Sequence, residues 1–594
     1  MENFAIAAIL NGYADLLELK EKNRFRIGSY RRAAQTVQSC PQPLAGLVER
    51  GDDITQMAGI GTSMAEHIKE IVATGTLQAL TDLHKEFPGT ISDLLKLEGL
   101  GPKRVKQLHN DLGVNSLEEL ENAIESGRVQ KLPGFAKKSV EKIRAAIARF
   151  AKRPGRFKLA DAEQLVRPLI EYLQAGSDVE RLEVAGSYRR RMETVGDIDI
   201  LTTGKRPARV MQRFQSYPEV ERVLGAGSTR GTVILRSGLQ VDLRIVPDEC
   251  FGAALCYFTG SKAHNVALRT LGVERKLRIN EYGIFDLKTR IKTKDNEEAK
   301  GKRIGGVKEE EVYRAVGLDW VPPELREDRG EIEAGANHKL PELITLDDIR
   351  GDLQMHSRWS DGRNIIEEML GTCKERGYQY CAITDHSQAV RVAGGLNASD
   401  LKKQLKEIEK IRSKFRGIAL LAGCEVDILA DGTLDLPDDI LDQLDVVVAS
   451  VHSKMDMKAS EMTQRVLRAI AHPAVTILAH PTGRQIGQRE PFAIDLEKIF
   501  AVAKEKNVAV ELNAQPLRLD LNDVHVQRAR EIGVKVAINT DAHSVEQLRF
   551  MGYGIDQARR GWLEKKHVIN ALTWAQFRKW LDQRRRKHSK TASG

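Results

Sequence analysis

In VGDIDIL, residues 195–201, Asp197 and Asp199 stand two apart in an extended segment. Both side chains leave one face of such a strand, while Ile198 and Ile200 pack behind. In QVDLRIV, residues 240–246, Asp242 projects from the face opposite Val241, Leu243 and Ile245. Three carboxylates on neighbouring strands repel one another unless cations lie between them. That set suits two Mg²⁺ ions bridging an incoming triphosphate and an attacking hydroxyl. An exposed strand face with acidic residues accounts for GDIDIL alone equally well. Upstream, GSYRR (186–190) follows the strand-like LEVA. It offers a backbone cradle, the Ser187 hydroxyl and guanidinium forks for phosphate oxygens.

A second group of residues is dispersed. His356 and Asp361 lie in DLQMHSRWSDG (352–362), Asp385 and His386 in TDHS, and Glu425 in GCEVDI. His452 follows in SVHS, His480 in AHP, and Asp541 and His543 in TDAHS. Taken singly, each reads as a packed or capping side chain. Nearly all sit where a short apolar run ends, so together they form a set of N and O donors suited to a metal cluster.

The elements that position these groups follow from pattern. At 594 residues, with 41% hydrophobic and 29% charged, the chain is folded and too long for one core. No apolar run is long enough to span a bilayer, and the N-terminus lacks the basic start and apolar stretch of a signal peptide. Six cysteines without a C-x-x-C pair fit a reduced, cytoplasmic protein. The net charge of +9 collects in RFRIGSYRRAA, in SVEKIRAAIARFAKRPGRFK and in RKWLDQRRRKHSK, which suggests a polyanionic partner.

Residues 1–150 have helical spacing, broken by glycine turns of one pattern: QMAGIGTSMAEHI (56–68), KLEGLGPKRVKQL (96–108) and KLPGFAKKSVEKI (131–143). Each pairs a tight turn with a helix start whose outward amides can hold a phosphate without reading a base. The candidates are Gly59, Gly61, Gly99, Gly101, Lys103, Gly134 and Lys137; Ala136 stands where the third turn would have its second glycine. Alternating strands are expected over about 156–250, then helices and polar loops to about 330. The proline- and charge-rich segment WVPPELREDRGEIEAGANHKLPELI (320–344) predicts a linker, placed at 331–344. From about 345, strands alternating with helices predict a βα repeat whose polar residues gather at strand ends.

The glycine turns resemble helix-hairpin-helix elements, and GSYRR with GDIDIL resembles the nucleotidyltransferase fold. With YFTGSKAHN (257–265) and INEYG (279–283) added, residues 1–330 resemble the family X DNA polymerases. That resemblance implies an α+β palm flanked by thumb and fingers. Asp197, Asp199 and Asp242 would hold Mg²⁺ or Mn²⁺, with Asp242 nearest the primer 3′-hydroxyl. Gly186, Ser187, Arg190 and Gly196 would contact the triphosphate. Tyr257, Phe258 and Gly260 would flank the sugar, Asn265 would meet the base and Arg269 the template side. The family often carries a lyase lysine, but here His67 stands in its place and cannot form an imine. Lys69 lies one face round the helix, so lyase activity is not expected. Tyr30 and Arg31 are candidates for a 5′-phosphate, with a helical surface an equally good account.

The C-terminal set resembles a polymerase-and-histidinol-phosphatase (PHP) domain, a trinuclear phosphoesterase built as a (βα)7-like barrel. By that resemblance one metal takes His356, Glu425 and Asp541, and a second shares Glu425 with His452 and His480. A third takes Asp361, His386 and His543, and the ions would be Mn²⁺ or Zn²⁺. The first motif usually reads D-x-H-x-H, whereas here Gln354 replaces one imidazole. A glutamine carbonyl suits Mn²⁺ better than Zn²⁺.

The expected domains are then 1–90 and 91–155 (helix-hairpin-helix regions), 156–250 (palm), 251–330 (nucleotide-selecting subdomain), 331–344 (linker), 345–575 (PHP) and 576–594 (basic tail). The expected protein is a monomeric, nucleoid-associated repair polymerase acting on gapped or nicked DNA with dNTPs. Its PHP domain would act as a 3′→5′ exonuclease or abasic-site endonuclease. Template-independent nucleotide addition, and a PHP domain serving only as a scaffold, are the two rival readings.

Overall fold

A computed structural model describes residues 3–20, 23–40, 44–57, 59–87, 91–95, 97, 100–136, 139–144, 147, 156–290 and 301–591. The chain forms two compact units, Met1–Pro154 and Gly155–Gly594.

The first unit is helical. Its elements include Asn3–Lys20, Arg24–Ser39, Thr62–Thr74, Gln78–Glu86, Pro102–Leu112 and Leu117–Glu125. Their apolar stripes close one core around Leu10, Leu17, Ile68, Ile71, Val105 and Leu108. Gly61 and Gly101 are the N-caps of two of these helices, with no side chain covering the first free amides.

The second unit begins with the palm. Its five strands run in the order Arg181–Val184, Asp197–Thr203, Gln240–Ile245, Arg230–Leu235, Val220–Ala226. The second and third of these are parallel, with Asp199 opposite Asp242 and Ile200 opposite Leu243. Ile198, Ile200, Val241 and Leu243 face a core closed by Val166, Leu169 and Phe214 of helices Leu159–Gln174 and Pro207–Gln215. Beyond the palm come helices Phe251–Thr259 and Lys262–Glu274, then a three-stranded antiparallel sheet. Those strands, Leu277–Asn280, Gly283–Arg290 and Gly301–Gly305, occupy a region where helices and loops were expected.

The C-terminal part is a barrel of seven parallel strands, adjacent in chain order from Gly351–Asp352 to Val536–Asn539. Strands such as Val446–Ser450 and Val475–Leu478 are buried along their whole length, so they read as unbroken apolar runs. The ends of the sheet meet where Met355 bridges Ala542 and the His356 amide donates to the Ala542 carbonyl at 2.8 Å.

Two stretches differ from expectation. Residues 331–344 are anchored at both ends: Glu331 opens helix Glu331–Ala336 fully buried, accepting from the Asp328 and Arg329 amides at 2.8 and 2.7 Å. Leu343 joins the same apolar cluster as Val312 and Trp562. The basic stretch from 576 belongs to helix Trp574–Thr591, where Phe577 and Leu581 pack on the barrel and the buried Arg584 donates to the Pro473 carbonyl at 2.6 Å. Charge density hid both: the segments are polar in composition, but their few apolar and paired residues face inward.

Candidate active sites

In the palm, alternation along Asp197–Thr203 leaves Asp197 exposed, Asp199 half-buried and the isoleucines inside. Asp242 is buried; its carboxylate accepts from the Thr232 hydroxyl and, at 2.8 Å, from the Gln240 amide. Burial raises the Asp199 pKa to about 6, and the negative charges of Asp197 and Asp242 add to the effect. Such mutual repulsion fits a site that takes divalent cations. The short helix Gly186–Arg189 stands against it. Gly186 has φ +64°, and a Cβ there would lie 2.7 Å from Asp199 Oδ2, so only glycine lets this backbone approach the carboxylates. Gly196 directly precedes the strand and is exposed.

The nucleotide-side candidates converge on the same edge. Arg190 Nη1 donates to the Thr259 carbonyl at 2.6 Å and lies 3.1 Å from where a Gly260 Cβ would be. Tyr257 and Phe258 meet edge-on, with ring centroids 5.1 Å apart. The Asn265 amide donates to the Tyr257 carbonyl at 2.7 Å, and Asn265, Arg269 and Asn280 line one small cavity with Tyr257. Arg190 Nε is bonded to Glu327 at 2.9 Å, so this guanidinium is held by protein groups rather than left as an open fork.

Sequence reasoning missed Arg244. Its guanidinium carbon lies 4.3 Å from the Phe258 ring centre, and its charge opposes the rise in the Asp199 pKa. The signal was present, since Arg244 follows Asp242 by two and shares its face.

The barrel site is built around Glu425, buried at the end of strand Ala419–Asp427. Its carboxylate lies 3.4 Å from His356 Nε2, 3.3 Å from His386 Nδ1, 3.4 Å from His452 Nε2 and 3.0 Å from His480 Nε2. His356 Nε2 also reaches Asp541 Oδ1 at 3.0 Å. Asp361 lies 3.4 Å from His543 and 3.7 Å from His386. Three groups of ligand atoms each fall within 4.8 Å of one another: His356–Glu425–Asp541, His386–Glu425–His452, and His356–Asp361–His386–His543. The first is the trio expected from sequence. The second has His386 where His480 was expected beside Glu425 and His452; His480 reaches Glu425 Oε1, the oxygen that also faces His452, while His386 faces Oε2. The third adds His356 to its expected members.

The donor chemistry fits metal. His356 Nδ1, His386 Nδ1, His480 Nδ1 and Glu425 Oε2 are buried without a hydrogen-bond partner. Both amide atoms of Gln354, fully buried, are also unpartnered. Burial disfavours charged imidazoles, yet Glu425 and Asp427 outweigh it and raise His452 to about 9. Asp361 and Asp541 do the same for His543, also to about 9, while burial lowers His386 to about 4. A bound cation would therefore displace protons from His452 and His543.

Asp427 and Arg518 were not singled out from sequence. Asp427 holds His452 Nδ1 at 3.1 Å, orienting its ring. Arg518 Nε lies 3.8 Å from Asp541, with Nη1 buried and unbonded. The first has a local signal, its place two residues after Glu425 on one strand. The second sits in a loop and has none.

In the helical unit, Gly59 and Gly134 adopt left-handed conformations at φ +78° and +84°. Gly61 and Gly101 head their helices, and Lys103 is exposed in the first turn of the second. Gly99 and Lys137 lie outside the described residues. Tyr30 is buried, with its hydroxyl 2.8 Å from His67 Nδ1, and Arg31 pairs with Asp15 and Glu18 at 2.9 Å each. Lys69 is exposed.

Comparison with known proteins agrees with this geometry. Family models match as a helix-hairpin-helix domain (residues 1–77), a SAM-like helix-hairpin-helix tandem (91–149), a DNA polymerase beta thumb (254–327) and a PHP domain (352–515). The chain is 41% identical over 569 residues to the DNA polymerase/3′-5′ exonuclease PolX of Bacillus subtilis (strain 168), covering 95% of this chain and 97% of that one. It is 26% identical to DNA polymerase lambda of Arabidopsis thaliana over 322 residues, half of this chain and 57% of that one. A probable phosphatase of Thermoanaerobacter sp. (strain X514) is 32% identical over 190 residues, 30% of this chain and 73% of its own. Near-complete coverage of a relative at this identity, with thumb and PHP matches in the same order, places the chain in the family X DNA polymerases of bacteria that carry a C-terminal PHP domain.

Proposed function

We propose that the protein is a DNA-directed DNA polymerase that fills short gaps during DNA repair, and that its PHP domain trims 3′ ends as a metal-dependent 3′→5′ exonuclease. The observation that carries this reading is the pairing of Asp199 with Asp242 on adjacent parallel strands, beside a glycine turn that touches the same carboxylate. Asp197, Asp199 and Asp242 would hold two Mg²⁺ or Mn²⁺ ions, which would supply charge neutralisation for the triphosphate and the attacking hydroxyl. Asp242, fixed by Thr232 and Gln240, orients the primer 3′-hydroxyl. Gly186, Ser187, Arg190 and Gly196 line the triphosphate. Tyr257, Phe258 and Gly260 flank the sugar, and Asn265 and Arg269 face the base pair. Bond formation joins the 3′-oxygen to the α-phosphorus and releases pyrophosphate.

In the barrel, His356, Asp361, His386, Glu425, His452, His480, Asp541 and His543 would hold up to three ions, Mn²⁺ or Zn²⁺, which would supply Lewis-acid activation for phosphodiester hydrolysis. Arg518, with its buried unbonded Nη1, takes a non-bridging phosphate oxygen. The helix-hairpin-helix turns grip the DNA backbone, so affinity falls steeply with salt. The protein works as a monomer on nucleoid DNA in the cytoplasm. His67, bonded to Tyr30, gives no imine chemistry.

Substituting Asp242→Ala tests the polymerase assignment. Gap filling falls by about 10²–10³-fold or more, the scale of losing one group that stabilises developing charge, while DNA affinity holds. Loss of DNA affinity in a variant with unchanged melting, rather than loss of catalysis, would refute the role.

A further inference from the structure

The turn that carries GSYRR, with the residues just after it, is fastened to the PHP barrel at three points, 190, 191 and 193. The Arg190 carbonyl accepts from Arg560 Nη1 at 2.7 Å. Arg191 donates to Asp556 from Nε and Nη2 at 2.8 and 2.6 Å. Glu193 pairs with Arg484 at 2.6 Å. Arg560, Asp556 and Arg484 all belong to the barrel, the first two to its helix Met551–Arg560.

Arg560 is the centre of this clamp. Its side chain is 1% exposed, and it also donates to Glu327 Oε1 at 3.1 Å and Asp523 Oδ2 at 2.6 Å. Glu327 Oε1 is the same oxygen that receives Arg190 Nε. Asp523 is held in turn by Arg329 at 2.9 Å. One buried guanidinium thus fixes both the backbone and, through Glu327, the side chain of Arg190.

Close-range pairing supports a rigid joint. Arg190 and Arg560 share Glu327, and Arg560 and Arg329 share Asp523, so three cations are held by two carboxylates, and breaking such pairs is costly once they are out of water. We propose that the PHP barrel is a working part of the polymerase site, with Arg560 as a positioning residue that sets Arg190 and the Gly186–Arg190 turn for the incoming triphosphate. The proposal rests on the assignment of that turn to the triphosphate.

The test uses the full-length chain, with dNTP kinetics on a one-nucleotide gap and Mn²⁺-dependent hydrolysis of bis(p-nitrophenyl) phosphate on the same preparations. Arg560→Gln is expected to raise the KM for dNTP by about 10- to 100-fold, the scale of a misplacement near 1 Å. Phosphodiester hydrolysis stays within about twofold of wild type, since Arg560 lies outside the ligand set. In an Arg190→Ala background the further effect of Arg560→Gln is smaller, because the route through Glu327 is already gone and only the bond to the backbone carbonyl remains to be lost. A KM unchanged in Arg560→Gln, or raised by the same factor in both backgrounds, overturns the proposal. If Arg560→Gln is insoluble, Arg560→Lys replaces it. Its single ammonium cannot serve Glu327, Asp523 and the carbonyl with the same fork, so the KM rise is still expected and an unchanged KM is equally fatal. Arg190→Ala with wild-type dNTP kinetics would instead refute the triphosphate assignment itself.

Discussion

Gly186 shows how one missing side chain shapes the polymerase site. Its left-handed backbone and the 2.7 Å separation between an added Cβ and Asp199 Oδ2 leave no room for alanine. Gly186→Ala must either push the turn off the strand or rotate the Asp199 carboxylate, in addition to about 1–2 kcal/mol of backbone strain. The expected result is a fall of about 10²-fold in kcat/KM for dNTP incorporation with 3′ trimming unchanged. Incorporation at the wild-type rate would show that the turn and the carboxylates do not act together. Asp197 and Asp199 were legible in sequence because strand alternation puts i and i+2 on one face. Gln354 was also legible as a departure, and the structure adds that both of its amide atoms are buried without partners.

At the level of elements, the palm helix Gly186–Arg189 and the helix Glu309–Ala315 are joined through Glu309. Arg189 reaches this carboxylate at 2.8 and 3.1 Å and Arg326 at 2.5 Å, with the Trp320 indole donating at 2.9 Å. Burial alone would raise the Glu309 pKa, but the charges of Arg326 and Arg189 outweigh it and hold the group near 2, against an ordinary 4.5. A depressed folded-state pKa contributes stability that is present above about pH 4.5 and is lost as pH falls towards 2. Glu309→Gln should therefore lower the melting temperature at pH 7, in line with about 3–5 kcal/mol for breaking a buried pair. The gap to wild type should narrow as the pH is lowered through 4.5, and differential scanning calorimetry across pH 7 to 3 reads it. A gap that stays constant would mean that Glu309 is not held ionised by its arginines.

Pattern served the elements unevenly. The barrel strands were readable because buried parallel strands are continuous apolar runs, as in VVVAS and VTIL. The sheet of Leu277–Asn280, Gly283–Arg290 and Gly301–Gly305 was not, since LRIN alternates over only four residues and GKRIG is exposed along its middle with no apolar face to read. The segment 331–344 looked like a linker because it closes a proline- and charge-rich stretch that begins at Trp320. Its key residue, Glu331, is a buried partner of His264 at 2.6 Å, a contact 67 positions away that no local pattern reports.

At the scale of the whole molecule, the second unit carries two catalytic centres whose residues are separate and whose scaffolds are joined. Glu425 and its four histidines all lie on barrel elements, and the three aspartates all lie on palm strands. The joints between them, such as Arg191 to Asp556 across 365 positions, were invisible in sequence, because ion pairs of that separation leave no periodic trace. Among the described residues no helix is long and apolar enough to cross a membrane. The central claim is that the barrel hydrolyses 3′ ends independently of the palm. It is tested most directly with a 5′-labelled primer ending in a 3′ mismatch on a gapped duplex, with Mn²⁺ and no dNTPs. Wild type, Asp197→Ala and His452→Ala are compared. Shortening by wild type and Asp197→Ala but not by His452→Ala is the predicted result. No shortening by wild type, or equal shortening by His452→Ala, would contradict it.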